Sequence, residues 1–498
     1  MRFTRLSSVL AAAVLAVGSG AAIAHADNDS PVLTVTVEAD AEGGPTIPAD
    51  FLGLSWEANV LHEPWLGVDH GNIAQLLDNL GGGSLRFSAN GVDETAWQPD
   101  PAVPPPTWAA GKVITPADLA RVGGLARRTR WPIDLGVNLF HYDPGAAASE
   151  ARAAQHELGS MLRSVQIGNE PDMYTRFRNE PNYTPDTYVP QAKAYRAAIA
   201  AAAPHIQFAG PDSVAALYGT PGGNGLAQEA ALWRSTYITA FGEQTRFLNQ
   251  HYYPLVNTPG VDPAPTIDNL DSRATAENSR QFVASFVQQA RAAGLEPHLS
   301  ETNSVANGGN AGVANTFGAA LWTLDYLLMA AAQGVTGVDM HQGPHNCGSY
   351  AWVCFPDDQA AASGRLQAQP PYYAGLALAG LRGGRFLPVQ LSDTKTNVSA
   401  YALRMPDKKI RVVVDDLDRN LKGTIAVRIQ GGATHEATMQ RLSGPSVEAT
   451  TGVSFAGTQV APDGGFAPGR PEHLTEKDGI LGIDVDAPGA VVVDIDKR

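Results

Sequence analysis

From Phe51 onward, short apolar runs alternate with longer stretches of helical periodicity, the pattern of a parallel sheet whose strands are joined by helices. Eight runs read as strands: Phe51 to Glu57, Ser84 to Ser88, Ile133 to Asn138, Ser164 to Asn169, Gln207 to Gly210, Phe247 to Tyr252, His298 to Glu301 and Val335 to His341. Between them, Pro116 to Arg130, Thr187 to Ala203, Arg280 to Ala293 and Thr316 to Gln333 read as helices. The last places Phe317, Ala320, Leu321, Leu324, Leu327, Leu328 and Ala331 at intervals of three and four, which predicts one core-facing stripe. Eight strand-helix units fit a (β/α)8 TIM barrel with insertions better than a doubly wound sheet. No Gly-rich phosphate turn follows the first strand, which disfavours a nucleotide fold.

Beyond Gly383 the helical pattern stops. Val398 to Leu403, Ile410 to Val414, Thr424 to Ile429 and Ala490 to Ile495 alternate or run β-branched between Asp, Asn, Gly and Pro, predicting a C-terminal all-β sandwich over residues 383–498. Leu33 to Val37 alternates as a strand without a helix of its own. It is expected to cross over to the C-terminal sheet, since an unpaired edge is a liability. The α/β chain thus divides into a joining strand in residues 27–50, a catalytic barrel in 51–382 and the β domain. Residues 1–26 carry Arg2 and Arg5, an apolar run and Ala24-His25-Ala26, the features of a cleavable export signal.

Fifty acidic against 35 basic residues give a net charge of −15, which makes nucleic acid and anionic membranes poor partners. No stretch after the leader is apolar enough to span a bilayer. Two cysteines, Cys347 and Cys354, sit close together in an expected loop, and in an exported chain this favours a disulfide. A zinc site is the weaker reading, because two thiolates with no His pair at zinc spacing do not close a tetrahedral site, although His341 and His345 lie nearby. No metal or other cofactor is expected.

A barrel builds its site at the carboxyl ends of its strands. Strand four ends Gly168-Asn169-Glu170-Pro171 and strand seven ends Ser300-Glu301-Thr302-Asn303, so each delivers a carboxylate to the same mouth. Either alone could open a helix. Together they supply the two flanking carboxyl groups that glycoside hydrolysis requires, Glu170 as acid/base and Glu301 as nucleophile. Arg86 on strand two is placed to hold Glu301 as an ion pair or to form a rim salt bridge. Tyr253, ending strand six, is placed to donate its hydroxyl to Glu301. His251 and Tyr252 read equally as site or packing residues. Glu57 and Asp93 are candidate acceptors for sugar hydroxyls, and Trp56, Trp97 and Trp352 are candidate sugar platforms.

The chain resembles glycoside hydrolase family 79, the β-glucuronidases and heparanase relatives of the 4/7 barrel superfamily. The resemblance is carried by Phe51-Leu52-Gly53-Leu54-Ser55-Trp56-Glu57, Leu85-Arg86-Phe87-Ser88-Ala89-Asn90-Gly91, Gln166-Ile167-Gly168-Asn169-Glu170-Pro171, His251-Tyr252-Tyr253-Pro254, Ser300-Glu301-Thr302-Asn303-Ser304 and the β-rich tail. It departs at Phe87-Ser88-Ala89, where relatives carry a glycine-rich turn beside the sugar contacts near Asn90. The resemblance implies a retaining mechanism, a hydrogen bond from Asn169 to the sugar 2-hydroxyl, and a terminal β-linked glucuronic acid on a glycan or glycoside. The rim loops offer no Arg or Lys pair for the acid's carboxylate. Backbone amides at Gly308 and Gly309, with the Tyr350 hydroxyl, are the expected donors. A related barrel acting on a neutral sugar, or a carbohydrate-binding protein without activity, shares most of these features.

Overall fold

The computed structural model describes residues 30–214, 224–430 and 434–497. The expected leader, residues 1–26, lies outside them. Eight parallel strands close a barrel in chain order: Leu52–Glu57, Ser84–Ser88, Ile133–Val137, Leu162–Ile167, Phe208–Ser213, Thr245–Tyr252, Glu296–Thr302 and Gly337–His341. Each is followed by a helix, from Ile73–Leu80 after the first to Pro370–Ala379 after the eighth. Several helices start on a side-chain cap, as at Thr115, where Asp118 completes a capping box before Pro116. The expected (β/α)8 architecture is therefore the observed one.

Two details differ from the sequence reading. Strand five runs past Gly210 to Ser213, because the Gly210-Pro211 pair, a breaker signal, is absorbed by a register shift between Gly210 and Ser213. The helix Phe317–Gln333 is buried from Phe317 to Ala331 all round rather than along one stripe. Its outer side is covered by the β domain: Phe317 and Gly318 donate their amides to the Ala449 and Val447 carbonyls, and Tyr401 donates to Asp325 at 2.6 Å.

The C-terminal strands form two sheets facing each other. Leu33–Glu38 lies in the five-stranded sheet, parallel to Gly423–Gln430 and antiparallel to Val389–Leu391. Leu33, Val35, Val37, Val412, Val414, Ile425 and Val493 fill the space between the sheets. Val413, Leu403 and Val492 point the other way and join the barrel's apolar cluster. The sheet carrying Ile410–Asp416 is thus buried on both faces, which is why that strand reads as an unbroken β-branched run. Among the described residues, no helix is long and apolar enough to cross a membrane.

Candidate active site

The mouth is organised around Arg86, which is fully buried on strand two. Its guanidinium donates to Gln166 Oε1 at 2.9 Å, Ser55 Oγ at 2.9 Å, Glu301 Oε2 at 2.8 Å and Asn169 Oδ1 at 2.9 Å, and lies 3.4 Å from Asp212 Oδ1. One planar fork therefore fixes side chains from strands one, four, five and seven. Tyr253 donates its hydroxyl to the other oxygen of Glu301 at 3.0 Å. Both oxygens of Glu301 are thus held before any substrate arrives.

Glu170 is 5% exposed and adopts a left-handed backbone, φ 46°, an uncommon state for a non-glycine residue that strained functional positions share. Its amide donates to the Asp212 carbonyl at 2.9 Å. His251 lies between the acids, with Nδ1 2.9 Å from Glu170 Oε1 and 3.9 Å from Glu301 Oε2, and Nε2 3.4 Å from Asp212 Oδ1. A Glu170 oxygen and a Glu301 oxygen come within 4.8 Å of each other.

The environments drive the two acids apart. Burial pushes Glu170 up, the negative charge of Glu301 adds to that, and hydrogen bonding and charge from His251 oppose it. Burial also pushes Glu301 up, but the charges of His341, His251 and Arg86 overcome it and bring Glu301 down to about 2. Burial disfavours charged His251, yet Glu301, Asp212 and Glu170 raise it to about 9; Nδ1 faces Glu170, while Nε2 lies between Asp212 Oδ1 at 3.4 Å and Arg86 Nη2 at 3.2 Å. Glu170, His251 and Glu301 sit at metal-binding distances, but the Arg86 guanidinium 2.8 Å from Glu301 is a fixed positive charge that opposes a cation there.

Asn169 is buried, its carbonyl taken by Arg86 and its amide 3.4 Å from Asn90 Oδ1 on the exposed rim. Glu57 is part-exposed, accepts from the Gly91 amide and lies 3.5 Å from His341 Nε2. Tyr350 is buried against Tyr253 and His341, with ring centroids 6.2 and 5.7 Å away. Gly308 is exposed in a turn where Asn307, Gly308 and Gly309 all take positive φ. A Cβ at Gly309 would stand 2.7 Å from the Tyr350 amide, so glycine is what lets this loop close on the loop of Tyr350. Cys347 and Cys354 form a disulfide that brackets Tyr350.

Asp93 departs from its expected role. It is 1% exposed, receives the Tyr174 hydroxyl at 3.0 Å and sits 3.5 Å from Arg178, so its acceptors serve the loop framework instead of a sugar. Trp56 and Trp352 are fully buried and present no face to a ligand, and Tyr252 packs between Phe282 and Tyr326. The sequence reading missed Asp212 and Asp172, and weighed His341 only as a metal ligand beside the cysteines. His341 ends strand eight and satisfies the same strand-end rule that selected Glu170. Asp212 was hidden by the Gly-Pro that seemed to stop strand five. Asp172, two residues beyond Glu170, is buried and pushed up to about 7 by burial and by the Glu170 charge.

Residues 400–492 match the glycosyl hydrolase family 79 C-terminal beta domain. A β-glucuronidase of Aspergillus niger is 28% identical over 321 residues, 58% of this chain and 54% of that protein. One of Neurospora crassa is 31% identical over 133 residues, 27% of this chain and 23% of that protein. The chain spans about half the length of the Aspergillus protein and less of the other. The crystal structure of a 4-O-α-L-rhamnosyl-β-D-glucuronidase from Fusarium oxysporum shares the fold with a TM-score of 0.72 at 19% identity, covering 92% of this chain and 99% of that one.

Proposed function

The chain belongs to glycoside hydrolase family 79, and on that premise we propose that it is an exported, retaining exo-β-glucuronidase. The observation that carries the reading is the pair of buried carboxyl groups within 4.8 Å, one pushed up and one held down. Retaining enzymes place their carboxyl groups about 5–5.5 Å apart, whereas inverting ones leave room for a water between them. Ionised Glu301 attacks the anomeric carbon as Glu170 protonates the glycosidic oxygen, and the leaving alcohol departs. Glu170, now a carboxylate, takes a proton from water as that water displaces Glu301 from the anomeric carbon, releasing the sugar with its configuration retained.

The wiring suits both half-reactions. The charge of Glu301 helps keep Glu170 protonated for the first step. Esterification removes that charge, the pKa of Glu170 falls, and His251 stabilises the carboxylate needed as base. Asn169, positioned by Arg86, is assigned to the sugar 2-hydroxyl. The carboxylate of the sugar is assigned to the turn at Gly308 and Gly309 and to Tyr350. His341, raised above its ordinary value by Glu301 and Glu57 against the effect of burial, lies beside Tyr350 among these donors. Export is supported by the disulfide, which persists in oxidising surroundings.

Specificity constants on nitrophenyl β-glucuronide, β-glucoside and β-xyloside test the reading. The glucuronide is expected to be preferred. Preference for a neutral sugar overturns the sugar assignment, and inactivity on all three overturns the enzymatic one.

A further inference from the structure

The loops after barrel strands two and three enclose a cavity of about 410 Å³ on the same rim as the mouth. Trp97, Trp108, His141 and Tyr142 line it together with Asn138 and Glu150. Trp108 is 39% and Tyr142 52% exposed, unusual for rings of this size. Trp108 stacks on His141 with centroids 3.6 Å apart and planes 11° from parallel, which holds the indole rigid while leaving part of it open. Asn138 donates to the Thr95 carbonyl at 3.1 Å and ties the two loops together. The loop carrying Thr95 starts at Asn90, which meets Asn169 at the mouth.

Glu150, on the helix Pro144–Leu158, is only 5% exposed, and its carboxyl has no hydrogen-bond partner among the described residues. A buried acid left idle is costly, so a group meant to meet a ligand is the economical explanation. Burial pushes it up to about 8, so near neutral pH it is a neutral acid offering one O–H donor and one acceptor. No Lys or Arg lines the cavity, and burial and the charge of Arg178 hold His141 below its ordinary value. An anionic ligand would meet no cation there. An amphipathic ring with hydroxyl groups finds an indole face, an amide and a carboxyl.

We propose that this cavity is a second carbohydrate-binding site, separate from the hydrolytic mouth, that takes an uncharged pyranose. The inference does not depend on which sugar the mouth cleaves. It is tested by titrating the Glu301→Gln protein with neutral tetrasaccharides of β-linked glucose, xylose and galactose, following intrinsic fluorescence. At least one tetrasaccharide binds. Trp108→Ala, at a part-exposed position where truncation spares the core, weakens that binding about tenfold. In the otherwise unchanged enzyme, Trp108→Ala leaves nitrophenyl glycoside turnover within about twofold, a change below 0.5 kcal/mol. Glu150→Gln, which keeps a donor and an acceptor, retains binding that Glu150→Leu loses. Absence of binding by all three tetrasaccharides, or binding unchanged in both Trp108→Ala and Glu150→Leu, overturns the proposal. So does displacement of the tetrasaccharide by free glucuronic acid, which would assign the signal to the mouth.

Discussion

At the amino-terminal end of the barrel, Arg163 and His298 face Asp134 and Asp339; at the carboxyl end, Arg86 and His251 face Glu301, Glu170 and Asp212. Both groups are buried, and each is built from an arginine, a histidine and acids on neighbouring strands. At the lower end the acids are met one by one: Arg163 pairs with Asp134 and lies 3.6 Å from Asp50, and His298 lies 2.9 Å from Asp339. Burial pushes Asp339 up, but His298, Arg163 and the Ser84 hydroxyl pull it below its ordinary value. Glycines make room there, since a Cβ at Gly53 or Gly337 would overlap Asp339 or His298. At the mouth Glu170 and Glu301 come within 4.8 Å of each other, and Glu170 is pushed up while Glu301 goes down. Burial of charge is therefore common to both ends. Divergence between two acids at one site is what marks chemistry.

The comparison is broken most sharply at its two extremes. Glu301→Gln keeps the shape of the site and is expected to lower turnover by about 10⁴-fold or more with the melting temperature preserved. Turnover within tenfold of the parent would make the mouth another structural cluster. Glu170→Ala is expected to cost about 10²–10⁴-fold on glycosides with poor leaving groups and far less on activated aryl glycosides, with azide restoring part of the latter rate. Equal losses on both substrates would assign Glu170 to structure.

The lower cluster carries the opposite expectation. Arg163→Met strands Asp134 and should cost about 3–5 kcal/mol of stability, read by denaturant unfolding, while kcat of the folded variant stays near the parent value. Because the folded pKa of Asp339 lies below its unfolded value, its contribution is present above the unfolded pKa of about 3.9 and is lost as pH falls through the folded one. Asp339→Asn should therefore be less stable near neutrality and lose less on acidification. A parallel loss in variant and parent would remove Asp339 from the account.

The smallest effect concerns the pH profile of kcat/KM. Activity falls on the alkaline side as Glu170 loses its proton. The acid limb, set by Glu301, should lie below the ordinary glutamate value of about 4.3. His341→Asn removes one of the charges that depress Glu301 and should move that limb upward. An unmoved limb would mean that another group sets it.

Much of this was legible in the sequence where local pattern and tertiary environment agree. The eight strand runs and their order follow from apolar runs between helices, and the strand-end rule leads to Glu170, Glu301 and Tyr253 without any knowledge of packing, while Arg86 stands out as a charge inside the apolar run of strand two. What was not legible depends on contacts across the chain. Nothing near Asp93 announces that Tyr174 and Arg178 occupy its carboxylate. The helix at Phe317 has polar and small residues off its stripe, yet the β domain buries them. Asp212 lies beyond a Gly-Pro that breaks most strands, and its partners Ser300 and Asn249 come from two other strands.

The most direct test is covalent. Incubation with an activated 2-deoxy-2-fluoro-β-glucuronide, followed by peptic digestion and mass spectrometry, should find the fluorosugar esterified to Glu301, because Glu301 is the ionised acid held by Arg86 and Tyr253. A label on Glu170 or on any other carboxylate would contradict the account of the two acids.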